Sequence, residues 1–208
     1  MTDLQAVEAW ARAELDRKNA ARDQALRWSR AMIRACSTCI RAVHRRELDR
    51  ARELIAEAES LNARITSELH GLDDLYWAGY VQDAQKELVE AHATLALVQG
   101  QPLPDPARLG IGAAPFLNGL GEAVGELRRY LLDSLRRGEA TRGEPLLAAM
   151  DDIYSLLVTL DYPDALTGGL RRTTDNVRGI LEKTRGDLTV ALRQDRLEQA
   201  LRAANPGA

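Results

Sequence analysis

Two acidic pairs have a spacing that could do chemistry. "KELVEAHATLALV" (86–98) sets Glu87 and Glu90 three residues apart in an apolar stretch, and "NGLGEAVGEL" (118–127) sets Glu122 and Glu126 one turn apart among Gly119, Gly121 and Gly125. On an α-helix of 3.6 residues per turn, each pair occupies adjacent turns of one face, with Asp83 and Tyr80 on the same side as the first pair. No Lys or Arg falls between Lys86 and Arg108, so the first acidic face lacks the cations usual on an exposed helix. Glycine inside a helix costs about 1 kcal/mol against alanine, so the three glycines need something to offset them. Missing side chains allow a neighbouring backbone or a ligand to come close, which would also bring the two acidic pairs together. Four carboxylates from facing helices are the oxygen-rich, negatively charged set that Mg²⁺ or Mn²⁺ selects. The residues alone leave a second reading open, in which the glycines serve helix packing and the glutamates point into water.

Arginines supply a complementary feature. Arg27, Arg30, Arg34, Arg41 and Arg45, and Arg52 beyond them, fall within one arc of a helical wheel if the helix continues through His44; most of the row survives a break there. Guanidinium groups in line can track phosphates, giving salt-dependent, sequence-independent binding to nucleic acid. A solvated face is the competing account. Weaker clusters lie at Arg128, Arg129, Arg136 and Arg137 and at Arg171, Arg172 and Arg178. The histidines His44, His70 and His92 have no metal-ligand spacing, and no nucleophile elbow, phosphate loop or dinucleotide fingerprint occurs. His92 falls on a different side of its helix from Glu90 and reads as packed. Cys36 and Cys39 lie inside a helical pattern and read as core thiols, since two cysteines make neither a disulfide framework nor a structural zinc site.

These residues require helices to position them. The chain has 208 residues, 45% hydrophobic and 28% charged, with Leu, Ala, Arg and Glu abundant and aromatics only 4%, a composition that favours helix and starves strands. The pattern predicts a long first helix after Thr2-Asp3, with Leu4, Val7, Ala11 and Leu15 on one face, then a soft junction near "HRRELD" and a second helix up to His70-Gly71. A third, capped by Asp73 or Asp74, carries the first acidic pair to Gly100. A Pro- and Gly-rich loop at "QPLPDPARLGIG" follows. Pro115 suits the first turn of a fourth helix ending near Arg137-Gly138, Pro145 that of a fifth ending at "LDYPD", and a last helix runs from about Leu170 to Ala203. The expectation is one all-α domain over residues 1–208, an antiparallel bundle of six helices or so. The net charge of −3 decides nothing about a polyanionic partner. With no leader and no apolar run long enough to span a bilayer, the expected location is cytoplasmic, with no membrane partner.

The stretches "ALRWSRAMIRACSTCIRAVHR", "QKELVEAHATL", "FLNGLGEAVGELRRYLLDSLRRGE" and "DDIYSLLVTLDYPDALTGGLRRTTDNVRGILEKTRGDL", in this order and spacing, resemble the translin superfamily over nearly the whole chain, and within it translin-associated factor X and its prokaryotic relatives. The resemblance implies a subunit of about seven helices that assembles into a hollow homo-octamer and binds single-stranded RNA, or single-stranded DNA, inside. It also implies a Mg²⁺-dependent endoribonuclease site. The two third-helix glutamates of that site fall on Glu87 and Glu90, a fourth-helix aspartate falls on Glu122, and the glutamate one turn later falls on Glu126. Translin itself is apolar where this chain has Glu87, Glu90 and Glu122, so those three favour the nuclease type, whereas Glu126 is common to both. Tyr76 and Ala78 stand where translin has basic and histidine residues, which leaves RNA contact to the arginine row.

The sequence therefore leads to a metal-dependent endoribonuclease in an oligomeric shell, with Glu87, Glu90, Glu122 and Glu126 as metal ligands and catalytic groups, Mg²⁺ or Mn²⁺ as cofactor, and Arg27, Arg30, Arg34, Arg41 and Arg45 on the nucleic acid. Its alternative is a non-catalytic translin-like oligomer that binds single strands; a helical interaction protein is a third.

Overall fold

The computed structural model describes residues 3–204, and among them there are helices and no strands. In chain order the helices are α1 (Leu4–His44), α2 (Leu48–Glu68), α3 (Asp73–Tyr76), α4 (Gly79–Val98), α5 (Pro106–Leu109), α6 (Ala113–Arg136), α7 (Gly143–Val158), α8 (Asp164–Thr167) and α9 (Leu170–Ala204), with a turn of 3₁₀ helix at Ala140–Arg142 before α7. Six are long, as the apolar periodicity predicts, and three are single turns within the connections.

The Asp3 carboxylate starts α1 by accepting from the Gln5 and Ala6 N–H groups, which otherwise have no partner in a first turn. The helix does not continue past His44. Arg46 takes φ +64°, the left-handed region that ends a helix, and α2 restarts at Leu48. Arg52 is thereby removed from the arginine row and is held by Asp49 and Gln99.

The third expected helix is also split. Its Asp73-Asp74 start makes only the one-turn α3, and Ala78 is extended (φ −67°, ψ 144°) before α4 begins at Gly79. The break is fixed by Tyr76, whose carbonyl accepts from Gln82 Nε2 at 3.0 Å and whose hydroxyl reaches the Gly110 carbonyl at 3.4 Å. The Pro- and Gly-rich loop contains α5, capped by Asp105 and opened by Pro106.

α1 packs along α2 and α4, α4 along α6, and α6 along α7 and α9, so α4 and α6 are central. Met32, Leu88, Leu120, Leu127, Leu131 and Met150 are fully buried at these contacts. Cys36 and Cys39 are free, buried thiols, and burial pushes Cys39 up to about 12. The apolar face at the start of α1 behaves differently. Leu4, Val7 and Leu15 are 74%, 48% and 64% exposed, and the first buried residue of the helix is Ala21. No described helix is long and apolar enough to cross a membrane.

Candidate functional site

The site begins with a helix contact that only glycine permits. A Cβ at Gly119 would sit 2.6 Å from the Lys86 carbonyl oxygen and 2.7 Å from Val89 Cβ, so the absence of a side chain lets α6 lie directly on α4. Gly121 does the same toward α9, where a Cβ would come within 2.2 Å of Thr173 Cγ2. Gly125 has nothing within 4 Å of the equivalent point, so packing explains two of the three helical glycines.

One turn beyond Gly119, α6 presents Glu122 to the acidic face of α4. Ligand oxygens of Glu87, Glu90 and Glu122 lie within 4.8 Å of one another, all three side chains being half-buried. Glu126 is turned elsewhere: its Oε2 lies 2.5 Å from Nε2 of His44, with Arg129 3.8 Å away. The His44 side chain, only 7% exposed, closes the groove from the end of α1, and its Nδ1 is buried with no hydrogen-bond partner. Lys86 is the built-in cation, its Nζ 2.7 Å from Glu122.

The electrostatics follow from this geometry. Burial, then the charges of Glu87, Glu122 and Glu126, push Glu90 up to about 8. Glu87 is raised by burial and then by Glu122. Glu126 moves the other way, because the hydrogen bond from His44 holds its carboxyl below the usual range. Cys36 on α1 is raised by burial, then by Cys39, Glu87 and Glu90, so the trio is close enough to be felt through the core. The trio is thus a concentration of negative charge that Lys86 offsets only in part.

The arginine row lies on a different strip of α1. Arg27, Arg30, Arg34, Arg41 and Arg45 are all exposed, and none forms an ion pair among the described residues. Arg41 donates to Thr38 Oγ1 at 2.8 Å and Arg27 to Gln24. On the helical wheel the row borders the strip that carries His44 but lies well round the helix from Cys36, the α1 residue that senses the trio, so it is no part of the acidic groove. His92, as its place on α4 implies, is away from the trio and 2.7 Å from Glu59.

Helical spacing does not announce two pairings, Lys86 with Glu122 and His44 with Glu126. The nearness of Lys86 to the acids is legible, since it shares a turn with Glu87 and precedes Glu90 by one turn; nothing in the sequence links His44 to a residue 82 positions away. A cleft of about 1000 Å³ next to Glu122, lined among others by Trp77 and Arg172, is a third feature that spacing does not announce.

No family model matches the sequence. An uncharacterized protein of Methanocaldococcus jannaschii is 29% identical over 199 residues, covering 93% of this chain and 86% of that protein. Among solved structures, AfC3PO in complex with duplex RNA is 31% identical, with a TM-score of 0.84 over 89% of this chain and 96% of that one. AfC3PO by itself is similar at 31% identity and a TM-score of 0.83, over 89% of this chain and 97% of that chain. Apo-NeC3PO has a TM-score of 0.75 over 92% of this chain and 98% of that chain, and at 21% identity the likeness is one of fold.

Proposed function

Because the chain belongs to the translin/C3PO family, we propose that it is the RNA-cleaving type of subunit, an endoribonuclease for single strands that works inside an octameric shell of its own copies. The observation that carries this reading is the carboxylate trio, in which two central helices bring the oxygens of Glu87, Glu90 and Glu122 within 4.8 Å of one another. A solvated stripe would not be half-buried or push Glu90 up to about 8. That AfC3PO forms a complex with duplex RNA supports RNA as the polymer; single strands as the substrate, and single-stranded DNA as a further ligand, rest on the resemblance of the sequence.

The donor set fits Mg²⁺ or Mn²⁺: three hard carboxylate oxygens, no soft ligand among them, and an excess of negative charge. Glu87, Glu90 and Glu122 would hold the ion, with Glu126 able to join if it leaves His44. When bound, the cation would supply positive charge to the phosphodiester and acidify water at neutral pH. The chain's own residues do the rest. Glu90, which holds a proton near neutrality while the trio is uncompensated, would give that proton up to serve as a ligand where a cation offsets its neighbours' charge. Lys86, now 2.7 Å from Glu122, would be free to pair with a phosphate where a cation takes its place on that carboxylate. The His44 hydrogen bond keeps Glu126 ionised and fixed at the end of the groove.

The Lys86–Glu122 ion pair favours one alternative, a non-catalytic shell that binds single strands and satisfies its acids with an internal lysine. Titration calorimetry with Mn²⁺ separates the two, paired with an RNA cleavage assay on Glu90→Gln. Micromolar to millimolar Mn²⁺ binding that Glu90→Gln weakens, with loss of metal-dependent cleavage, supports the nuclease. Full cleavage by Glu90→Gln would overturn it in favour of the binding shell.

A further inference from the structure

The cleft beside Glu122 extends toward the N-terminal end of α6, whereas His44 meets α6 one turn past Glu122 on the other side. Asp83, Lys86 and Glu122 line one side of it, so it reaches the carboxylate trio at Glu122. Trp77 and Leu166, 61% and 68% exposed, form its outer wall.

Trp77 is an exposed ring with a fixed orientation. It stands at the break between α3 and α4, with the Tyr76 ring edge-on to it at 5.1 Å and 87°. Gly112 abuts the far edge of the indole, where a Cβ would sit 3.6 Å from Cζ3. An indole that is held and still exposed is a stacking surface, because every nucleobase has a π-face to lay on it. Arg172, on the first turn of α9, lines the same cleft, as does the exposed Asn176 one turn on, and among the described residues Arg172 forms no ion pair and the Asn176 amide no hydrogen bond. An aromatic plane, an uncommitted guanidinium and an amide around one opening match the base, phosphate and base edge of a single nucleotide.

We infer that this cleft holds the unpaired nucleotide adjoining the phosphodiester that is hydrolysed beside the carboxylates, with its base on Trp77 and its phosphate on Arg172. The inference rests on the nuclease reading for what lies next to the cleft. It adds a reason for single-strand selectivity, since a base inside a duplex is already stacked on both faces and has none to offer Trp77. A subunit contact is the other use for an exposed Trp and Leu; the charged Asp83, Lys86 and Arg172 around the opening favour the nucleotide, because charged residues are depleted at the centre of an oligomer interface.

The test is binding of a fluorescein-labelled 12-nucleotide oligouridylate by anisotropy in EDTA, where no cleavage occurs, beside the same backbone with abasic residues throughout. Trp77→Ala is expected to lose about tenfold in affinity for the oligouridylate, Trp77→Phe to stay within about threefold of wild type, and the abasic strand to bind wild type and Trp77→Ala alike. Arg172→Ala is expected to lower the log–log salt slope by about 0.7. Wild-type affinity in Trp77→Ala overturns the inference, as does a change in its light-scattering mass, which would give Trp77 to a subunit contact. Trp77-dependent binding together with full cleavage by Glu90→Gln would overturn the nuclease reading and leave the nucleotide cleft standing. No RNA binding by the wild type overturns both.

Discussion

Gly119 rests on the backbone of Lys86, so near that a Cβ at position 119 would lie 2.6 Å from the Lys86 carbonyl oxygen. This contact sets the spacing of α4 and α6 and thereby the distance of Glu122 from Glu87 and Glu90. Gly119→Ala should therefore cost about 2–3 kcal/mol of stability, because backbone cannot step aside as a side-chain tip can. Gly125→Ala, with nothing within 4 Å, should raise stability by up to about 1 kcal/mol. Denaturant melts of the two variants check the pair; equal effects would show that the glycines do not set the helix spacing.

Glu90→Gln should abolish Mg²⁺- or Mn²⁺-dependent RNA cleavage while leaving single-strand binding nearly intact. In chelator it should be more stable than the wild type, because glutamine needs neither a buried like charge nor the proton that folding forces onto Glu90 at neutral pH. Thermal melts in EDTA and in Mg²⁺ report this, since a cation bound only by the folded state raises wild-type stability and should do little for the variant. A solvated glutamate would give a change of a few tenths of a kcal/mol at most.

The shift at Glu90 sets a pH dependence. A carboxyl whose folded-state value is raised to about 8 binds more protons folded than unfolded between its ordinary range and that value. In chelator its contribution should thus be free of penalty below about pH 4.5 and should turn destabilising as pH rises toward 8, by an amount on the order of a few kcal/mol, levelling off above. Glu126, lowered by His44, has the opposite sign and loses its contribution as the pH falls into the acid range. Stability against pH for wild type and Glu90→Gln, both in EDTA, should diverge between pH 5 and 8; parallel curves would show that Glu90 is ionised at no cost.

Changing Arg30, Arg34 and Arg41 together to Ala should weaken RNA binding and flatten its salt dependence by about 0.7 in log–log slope for each phosphate no longer held. Folding should be unaffected, as all three are exposed and outside ion pairs among the described residues. An unchanged slope would make the row a solvated surface.

Assembly is checked by light scattering, where a mass near eight copies is expected at micromolar concentration. Leu4, Val7 and Leu15 on α1 and Leu197 and Leu201 on α9, all more than 45% exposed, are the apolar residues that a larger assembly would cover. A strict monomer would remove the enclosed shell.

Much of this protein is local and could be read from the sequence. Apolar periodicity marks the six long helices, Asp3 the first cap and the glycines the approach of α6 to its neighbours, because each depends on residues within a turn or two of one another. The spacing of Glu87 and Glu90, and of Glu122 with the glycines, likewise defines faces, since a helix fixes which side chains share a side. Where two helical stretches join is less local. The splitting of α3 from α4 needs the Tyr76 contact with Gly110, 34 residues away, and the bend at Arg46 is a backbone state that arginine does not favour by itself. The glycines and the resemblance anticipate Glu122 beside Glu87 and Glu90, but tertiary structure decided which acids converge and what each is paired with. It joined Glu122 to Glu87 and Glu90, gave Lys86 to Glu122, drew Glu126 aside to His44 at the end of another helix, and set Trp77 and Arg172 around one cleft. Which oxygens converge, and at what electrostatic cost, depends on how three helices cross and how much water they exclude, and neither quantity is a property of any one stretch of chain.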